Sequence, residues 1–148
     1  MGGTVSVCGD IKGKGNEHFK AGRYADAVLI YSQALDADPQ DHTVHSNRSA
    51  ARLKLNQPGF AVSDALSCVS LAPTWPKGYF RLGQALTLGG KHAAATECFR
   101  KALALTPDDA AVRVELEKTE KLCLPGGRSY VYTWGATEAT GRGDGGRA

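Results

Sequence analysis

The chain has 148 residues, a formal net charge of +3 and 22% charged residues, which fits one soluble domain of ordinary size. No apolar run is long enough to cross a bilayer and the N-terminus lacks the apolar core of a secretory signal, so we expect an intracellular protein. The charge is too small by itself to indicate nucleic-acid binding, and the four cysteines show no CxxC spacing and are expected to be reduced.

Residues 1–7 are expected to form a flexible leader. The sequence MGGTVS matches the pattern of an N-myristoylation signal, with Gly2 as the acceptor and Ser6 at the hydroxyl position. The plain alternative is a frayed terminus that happens to contain glycine and serine. A membrane contact is therefore expected only if Gly2 is myristoylated, and one acyl chain would anchor the protein only marginally.

Residues 8–109 are organised by a repeat of 34 residues, with units of about 8–41, 42–75 and 76–109. Within each unit the apolar residues recur at helical spacing, which predicts two helices joined by a short turn. The positions that share the period are the prolines Pro39, Pro73 and Pro107, the alanines Ala27, Ala61 and Ala95, the small residues Gly15, Ser49 and Gly83, and the turn residues Gly22, Asn56 and Gly90.

We predict three pairs of helices followed by a seventh helix that caps the stack. They cover about 9–21, 24–37, 41–55, 58–71, 75–88 and 92–105, followed by the capping helix at about 109–123. Because one helix pair cannot bury its apolar face alone, stacked pairs should form one continuous core over residues 8–124. Residues 125–148 are rich in glycine, carry no helical pattern and are expected to be a disordered tail.

The repeat resembles the tetratricopeptide repeat (TPR) family. The resemblance covers three repeats and implies an all-α, right-handed superhelix in which the first helix of each pair lines a concave groove. The first helices carry eight basic residues against three acidic ones, whereas the second helices carry two against four. We therefore predict a basic groove that attracts acidic ligands. Ordinary solvated helix faces are the alternative interpretation.

Three short motifs place polar residues on the predicted groove. They read KGKGN at 12–16, NRSAA at 47–51 and KGYFR at 77–81. Lys12 and Asn16 share one helix face, as do Lys77 and Arg81, whose like charges repel at this spacing unless an anion lies between them. Asn47 and Arg81 are 34 residues apart and therefore occupy equivalent positions in successive repeats.

The three motifs resemble the dicarboxylate clamp of Hop-like TPR co-chaperones, which bind the C-terminal EEVD peptide of the 70-kDa and 90-kDa heat-shock chaperones. The resemblance implies that Lys12, Asn16 and Asn47 hold the α-carboxylate of the terminal aspartate. It implies that Lys77 and Arg81 take the aspartate side chain and the nearby backbone. Lysine and arginine suit this task because they supply charge-assisted hydrogen bonds to carboxylates. The plain alternative is that all five are surface polar groups with local helix contacts.

The sequence offers no catalytic, metal-binding or cofactor-binding constellation, since the groove carries donors and no plausible general base. We therefore predict a non-catalytic cytoplasmic adaptor that binds chaperone tails ending in EEVD. One alternative is a scaffold for another acidic C-terminus or for an internal peptide. Another is the TPR targeting module of a larger enzyme, of which this chain is a fragment or isoform.

Overall fold

The computed structural model describes residues 6–123, which contain seven helices and no strand. Their order is the predicted one, and each boundary lies within two residues of its predicted place. The helices are α1 (Val7–Lys20), α2 (Tyr24–Ala37), α3 (His42–Lys54), α4 (Pro58–Leu71), α5 (Pro76–Leu88), α6 (His92–Leu105) and α7 (Ala110–Leu122).

Helix α1 begins earlier than the sequence predicts. The Ser6 hydroxyl accepts a hydrogen bond from the backbone N–H of Gly9 at 3.0 Å, and this N-cap starts the helix at Val7. The last residue of the predicted leader, 1–7, is therefore helical. The candidate lipidation site Gly2 and the predicted tail, 125–148, lie outside the described residues.

The turn inside each helix pair has the same backbone geometry. Gly22, Asn56 and Gly90 adopt positive φ angles of 78°, 57° and 79°, respectively. This left-handed conformation ends a helix and is open to glycine and, among other residues, most readily to asparagine. The residue types at this repeated position therefore follow from the turn that the chain must make.

The two helices of the first and third pairs approach each other at a glycine. A Cβ atom on Gly15 would lie 2.5 Å from Cε1 of Tyr31, and one on Gly83 would lie 2.6 Å from Cε1 of Phe99. Both rings are buried, so neither can move aside without opening a gap in the core. The glycines are thus required by packing against a ring.

The two helices of the second pair approach each other through smaller residues. This pair has Ala65 at the position of the ring and Ser49 at the position of the glycine. The Ser49 hydroxyl is fully buried and donates to the carbonyl oxygen of Ala61 at 2.8 Å. This hydrogen bond satisfies a polar group that would otherwise be costly to bury.

The buried core of residues 6–123 consists of two clusters, and the second one ends under α7. One buried cluster surrounds Tyr31 in the first repeat, and a second surrounds Phe99 and reaches Val112 of α7. Val112 is only 3% exposed, so α7 covers the apolar side of the last pair, as a helix at the end of a repeat stack should. Over residues 6–123, no helix combines the length and the apolar character needed to span a membrane.

We predict that Gly15→Ala destabilises the fold by about 1–3 kcal/mol, because the added methyl group overlaps the buried Tyr31 ring. Gly13→Ala is the matched control on the same helix. A Cβ at Gly13 meets nothing within 4 Å, so this variant should gain about 0.5–1 kcal/mol from helix propensity. Chemical denaturation of both variants measures the effects, and equal stabilities would contradict the packing argument.

Candidate functional site

Helices α1, α3 and α5 stand side by side and line a groove together with α7. The groove contains a cavity of about 430 Å³. Of the five predicted site residues only Arg81 lines this cavity, whereas Asn16 and Asn47 lie one helical turn before its lining residues Phe19 and Ala50. The cavity is lined by Phe19, Ala50, Leu53, Lys54, Arg81, Gln84, Thr87, Leu88 and Glu115.

Asn16 and Asn47 form a direct link between α1 and α3. The Asn47 amide nitrogen donates to Oδ1 of Asn16 at 3.1 Å, and the Tyr31 hydroxyl donates to the same oxygen at 2.6 Å. Burial raises the pKa of Tyr31 to about 12, so this hydroxyl stays protonated and remains a donor. Oδ1 of Asn16 thus accepts two hydrogen bonds, and the N–H groups of this amide have no acceptor among the side-chain hydrogen bonds of residues 6–123.

Lys12 lies on a second link, one turn before the first. Its ammonium donates to the Thr43 hydroxyl at 3.1 Å and forms an ion pair with Oδ2 of Asp41 at 3.3 Å. Thr43 and Asn47 are four residues apart, as are Lys12 and Asn16, so the two links run in parallel between the helices. Asp41 and Thr43 are not among the residues predicted from the sequence, although the shared spacing was a signal for Thr43.

Lys77 and Arg81 complete the predicted set on α5. Lys77 is exposed and its ammonium lies 6.0 Å from the centre of the Trp75 ring, whereas Arg81 donates to the side-chain oxygen of Gln84 at 2.9 Å. Burial lowers the pKa of both groups, and the positive charge of Arg81 lowers the pKa of Lys77 further. The Nε of Arg81 is buried and has no hydrogen-bond partner within residues 6–123. On α5, one buried donor therefore lacks an acceptor in the described part of the chain.

The predicted basic groove needs a correction at α3. Arg48 and Arg52 do not add free charge to it, because both bind the buried carboxylate of Asp64 on α4. Arg48 makes two bonds to this carboxylate, at 2.9 and 2.6 Å, and Arg52 makes one at 2.8 Å. Burial tends to raise the pKa of Asp64, but the His45 ring at 3.7 Å, the hydrogen bonds from Arg48 and the two guanidinium charges hold it below its usual value. Of the eight basic residues counted on the first helices, two thus stabilise the stack.

One group of possible metal ligands exists among residues 6–123, in which atoms of Cys8, Asp38 and Asp41 lie within 4.8 Å of one another. Burial, followed by the charge of Asp41, raises the pKa of the Cys8 thiol, which disfavours the thiolate that a metal requires. The Lys12 ammonium already balances the charge of Asp41. We therefore assign no metal to this group.

Asp64→Asn is predicted to lower the free energy of unfolding by about 2–3 kcal/mol at neutral pH, because it leaves two half-buried guanidinium groups without a counter-charge. The stabilisation by Asp64 exists above the ordinary pKa of an aspartate and is lost as the pH falls through its lowered pKa. The stability difference between the wild type and the variant should therefore shrink in acid. Urea denaturation over a pH series measures it, and Asp26→Asn, at an exposed position of α2, is the control.

The stacked helix pairs and the groove between their first helices define a helical repeat solenoid with a peptide-sized groove. The sequence matches the tetratricopeptide repeat over residues 13–66 and again over residues 76–109. The chain belongs to the tetratricopeptide repeat family. Together with the seven helices, this confirms the predicted all-α TPR superhelix.

Solved TPR domains resemble the chain over most of its length. The first TPR domain of Spaghetti (RPAP3), bound to the HSP90 peptide SRMEEVD, has a TM-score of 0.76 and 30% identity, covering 80% of this chain and 97% of that one. The second TPR domain of human RPAP3, in complex with the HSP70 peptide SGPTIEEVD, has a TM-score of 0.72 and 31% identity, covering 74% of this chain and 92% of that one.

Longer proteins contain a similar segment. The Hsp70-Hsp90 organizing protein of Triticum aestivum is 38% identical over 112 residues, which is 76% of this chain and 19% of that protein. Serine/threonine-protein phosphatase 5 of Rattus norvegicus is 29% identical over 120 residues, which is 81% of this chain and 24% of that protein. The chain thus spans about a fifth to a quarter of the length of these two relatives.

Proposed function

We propose that the chain is a non-catalytic adaptor domain that binds the C-terminal EEVD of the 70-kDa or 90-kDa heat-shock chaperones in the groove of α1, α3 and α5. The observation that carries this proposal is a single groove face with the amide groups of Asn16 and Asn47 on one side and two cations, Lys77 and Arg81, on the other. The peptides bound to the two similar RPAP3 domains both end in EEVD, which supports it. A cytoplasmic location belongs to the same proposal.

In the proposed complex, each side of the groove has its own task. Asn16, Asn47 and Lys12 donate to the terminal α-carboxylate, since their N–H groups point from two adjacent helices. Lys77 and Arg81 donate to the side-chain carboxylate of the last aspartate and to the nearby backbone. Arg81 uses one N–H group of a terminal guanidinium nitrogen for Gln84 in the free domain, and the other terminal N–H groups would donate to the ligand.

Lys77→Ala or Arg81→Ala should abolish binding of an EEVD-ended peptide while leaving the helix content unchanged. Loss of one partner of a desolvated charge pair costs about 2–5 kcal/mol, which is roughly 30-fold or more in affinity. Isothermal titration calorimetry with SRMEEVD measures the affinity, and circular dichroism measures the helix content. Lys14→Ala is the matched control, because it removes the same charge from an exposed position of α1. Unchanged affinity in both variants would refute the proposed clamp.

Amidation of the peptide C-terminus tests which part of the ligand is recognised. If the groove captures a terminal carboxylate, SRMEEVD and SGPTIEEVD should each lose most of their affinity when amidated, because the amide removes the charge opposite Asn16 and Lys12. Calorimetry of each acid and amide pair at one salt concentration measures the loss. Equal affinity for acid and amide would instead favour a scaffold for internal acidic peptides.

A second candidate function is the targeting module of a larger enzyme. The specific observation in its favour is the similarity to rat serine/threonine-protein phosphatase 5, of which this chain spans 24%. The groove would bind the same tails in that case, and the catalytic domain would belong to another part of the protein. A transcript that continues the reading frame into a catalytic domain would support this candidate over an independent adaptor.

A further inference from the structure

Asp41 connects the start of α3 to the groove residue Lys12, and each of its carboxylate oxygens has a separate task. Oδ1 accepts the backbone N–H of Thr43 at 3.0 Å and so caps the N-terminus of α3. Oδ2 accepts from the Lys12 ammonium at 3.3 Å and from the Cys8 thiol at 3.7 Å. Oδ1 of Asp41 thus caps α3, and Oδ2 pairs with Lys12.

The charge state of Asp41 makes it a competitor for an acidic ligand. Burial tends to raise its pKa, but the hydrogen bonds from Thr43 and the positive charge of Lys12 outweigh burial and hold the pKa below its usual value. The carboxylate is therefore negative at neutral pH. Its side chain is 18% exposed and that of Lys12 is 30% exposed, so solvent screens the pair only partly.

We propose that Asp41 limits the affinity of the groove, because it holds the Lys12 ammonium that the terminal carboxylate of the ligand would take. This inference rests on the proposed function. Of the three N–H donors of Lys12, Asp41 and Thr43 occupy two, so a ligand carboxylate can use the third while the ammonium stays shared with Asp41.

Neutralising Asp41 should therefore strengthen binding. Without the Asp41 charge, the Lys12 ammonium is free to donate fully to the ligand carboxylate, and the net gain from this charge-assisted hydrogen bond corresponds to about a three- to tenfold change in affinity. Asp41→Asn removes the charge and keeps a side-chain oxygen for the cap of α3, for which asparagine and aspartate are equally suited. Asp41→Ser is a second variant with a shorter capping side chain that cannot reach as far towards Lys12.

The experiment titrates SRMEEVD as the free acid into the wild type, Asp41→Asn and Asp41→Ser at one salt concentration. We expect both variants to bind about three- to tenfold more tightly than the wild type. Asp26→Asn is the charge control. Asp26 lies in the first turn of α2, whereas Asp41 follows the last turn, so the two are more than a Debye length apart. Removing the charge of Asp26 should therefore leave the affinity unchanged. Thermal unfolding of each variant verifies that α3 still forms.

A double-mutant cycle with Lys12→Ala tests whether Asp41 acts through the lysine. Without Lys12, the gain from Asp41→Asn should largely disappear. An unchanged or weaker affinity of the folded Asp41 variants would overturn the inference, as would a gain of equal size in Asp26→Asn or in the Lys12→Ala background. A wild type that does not bind the free acid would contradict the proposed function and the inference together, whereas a binding wild type without the gain contradicts the inference alone.

Discussion

The structure depends on one constraint, the close approach of the two helices in each repeat. In the first repeat this approach also orients the site, because the Tyr31 ring that packs on Gly15 donates its hydroxyl to Oδ1 of Asn16. The ring thereby fixes the carbonyl oxygen of the Asn16 amide, which also accepts from Asn47. In the third repeat the same approach joins Gly83 to Phe99, and Phe99 has no hydroxyl, so there the contact supplies packing only. The contact between a glycine and a ring thus also supplies a hydrogen bond in the first repeat but not in the third.

The charge of the groove is set by pairing more than by the number of basic residues. Asp64 takes up Arg48 and Arg52, and Asp41 takes up Lys12, which leaves Lys77 and Arg81 as the cations of the five-residue site without an acidic partner in residues 6–123. A tally of charges along the first helices overstates the field that an acidic ligand meets. Burial of Arg81 on α5 also weakens the screening of its charge by water.

The fold was largely predictable from the sequence, because its signals are local and repeated. Apolar spacing gave the helices, and the turn residues gave their ends, since only a few residue types tolerate the left-handed turn at Asn56 and its equivalents. The residues of the candidate site were found in the same way. Their partners were not, because Asp41 and Asp64 meet lysine and arginine 12 to 29 residues away in sequence through side-chain directions that periodicity does not fix. The Ser6 cap and the earlier start of α1 also depend on such a side-chain direction.

The two sides of the groove should contribute differently to recognition. On the α1 side two of the three donors of Lys12 already have acceptors and its charge is paired with Asp41, so a ligand carboxylate there gains less net free energy. On the α5 side the two cations repel each other, so an anion there relieves this repulsion. On the proposed function, most of the affinity therefore comes from α5. The α1 side supplies selection for a chain end, because the paired amides and the shared lysine favour a terminal carboxylate that can accept from several donors at once.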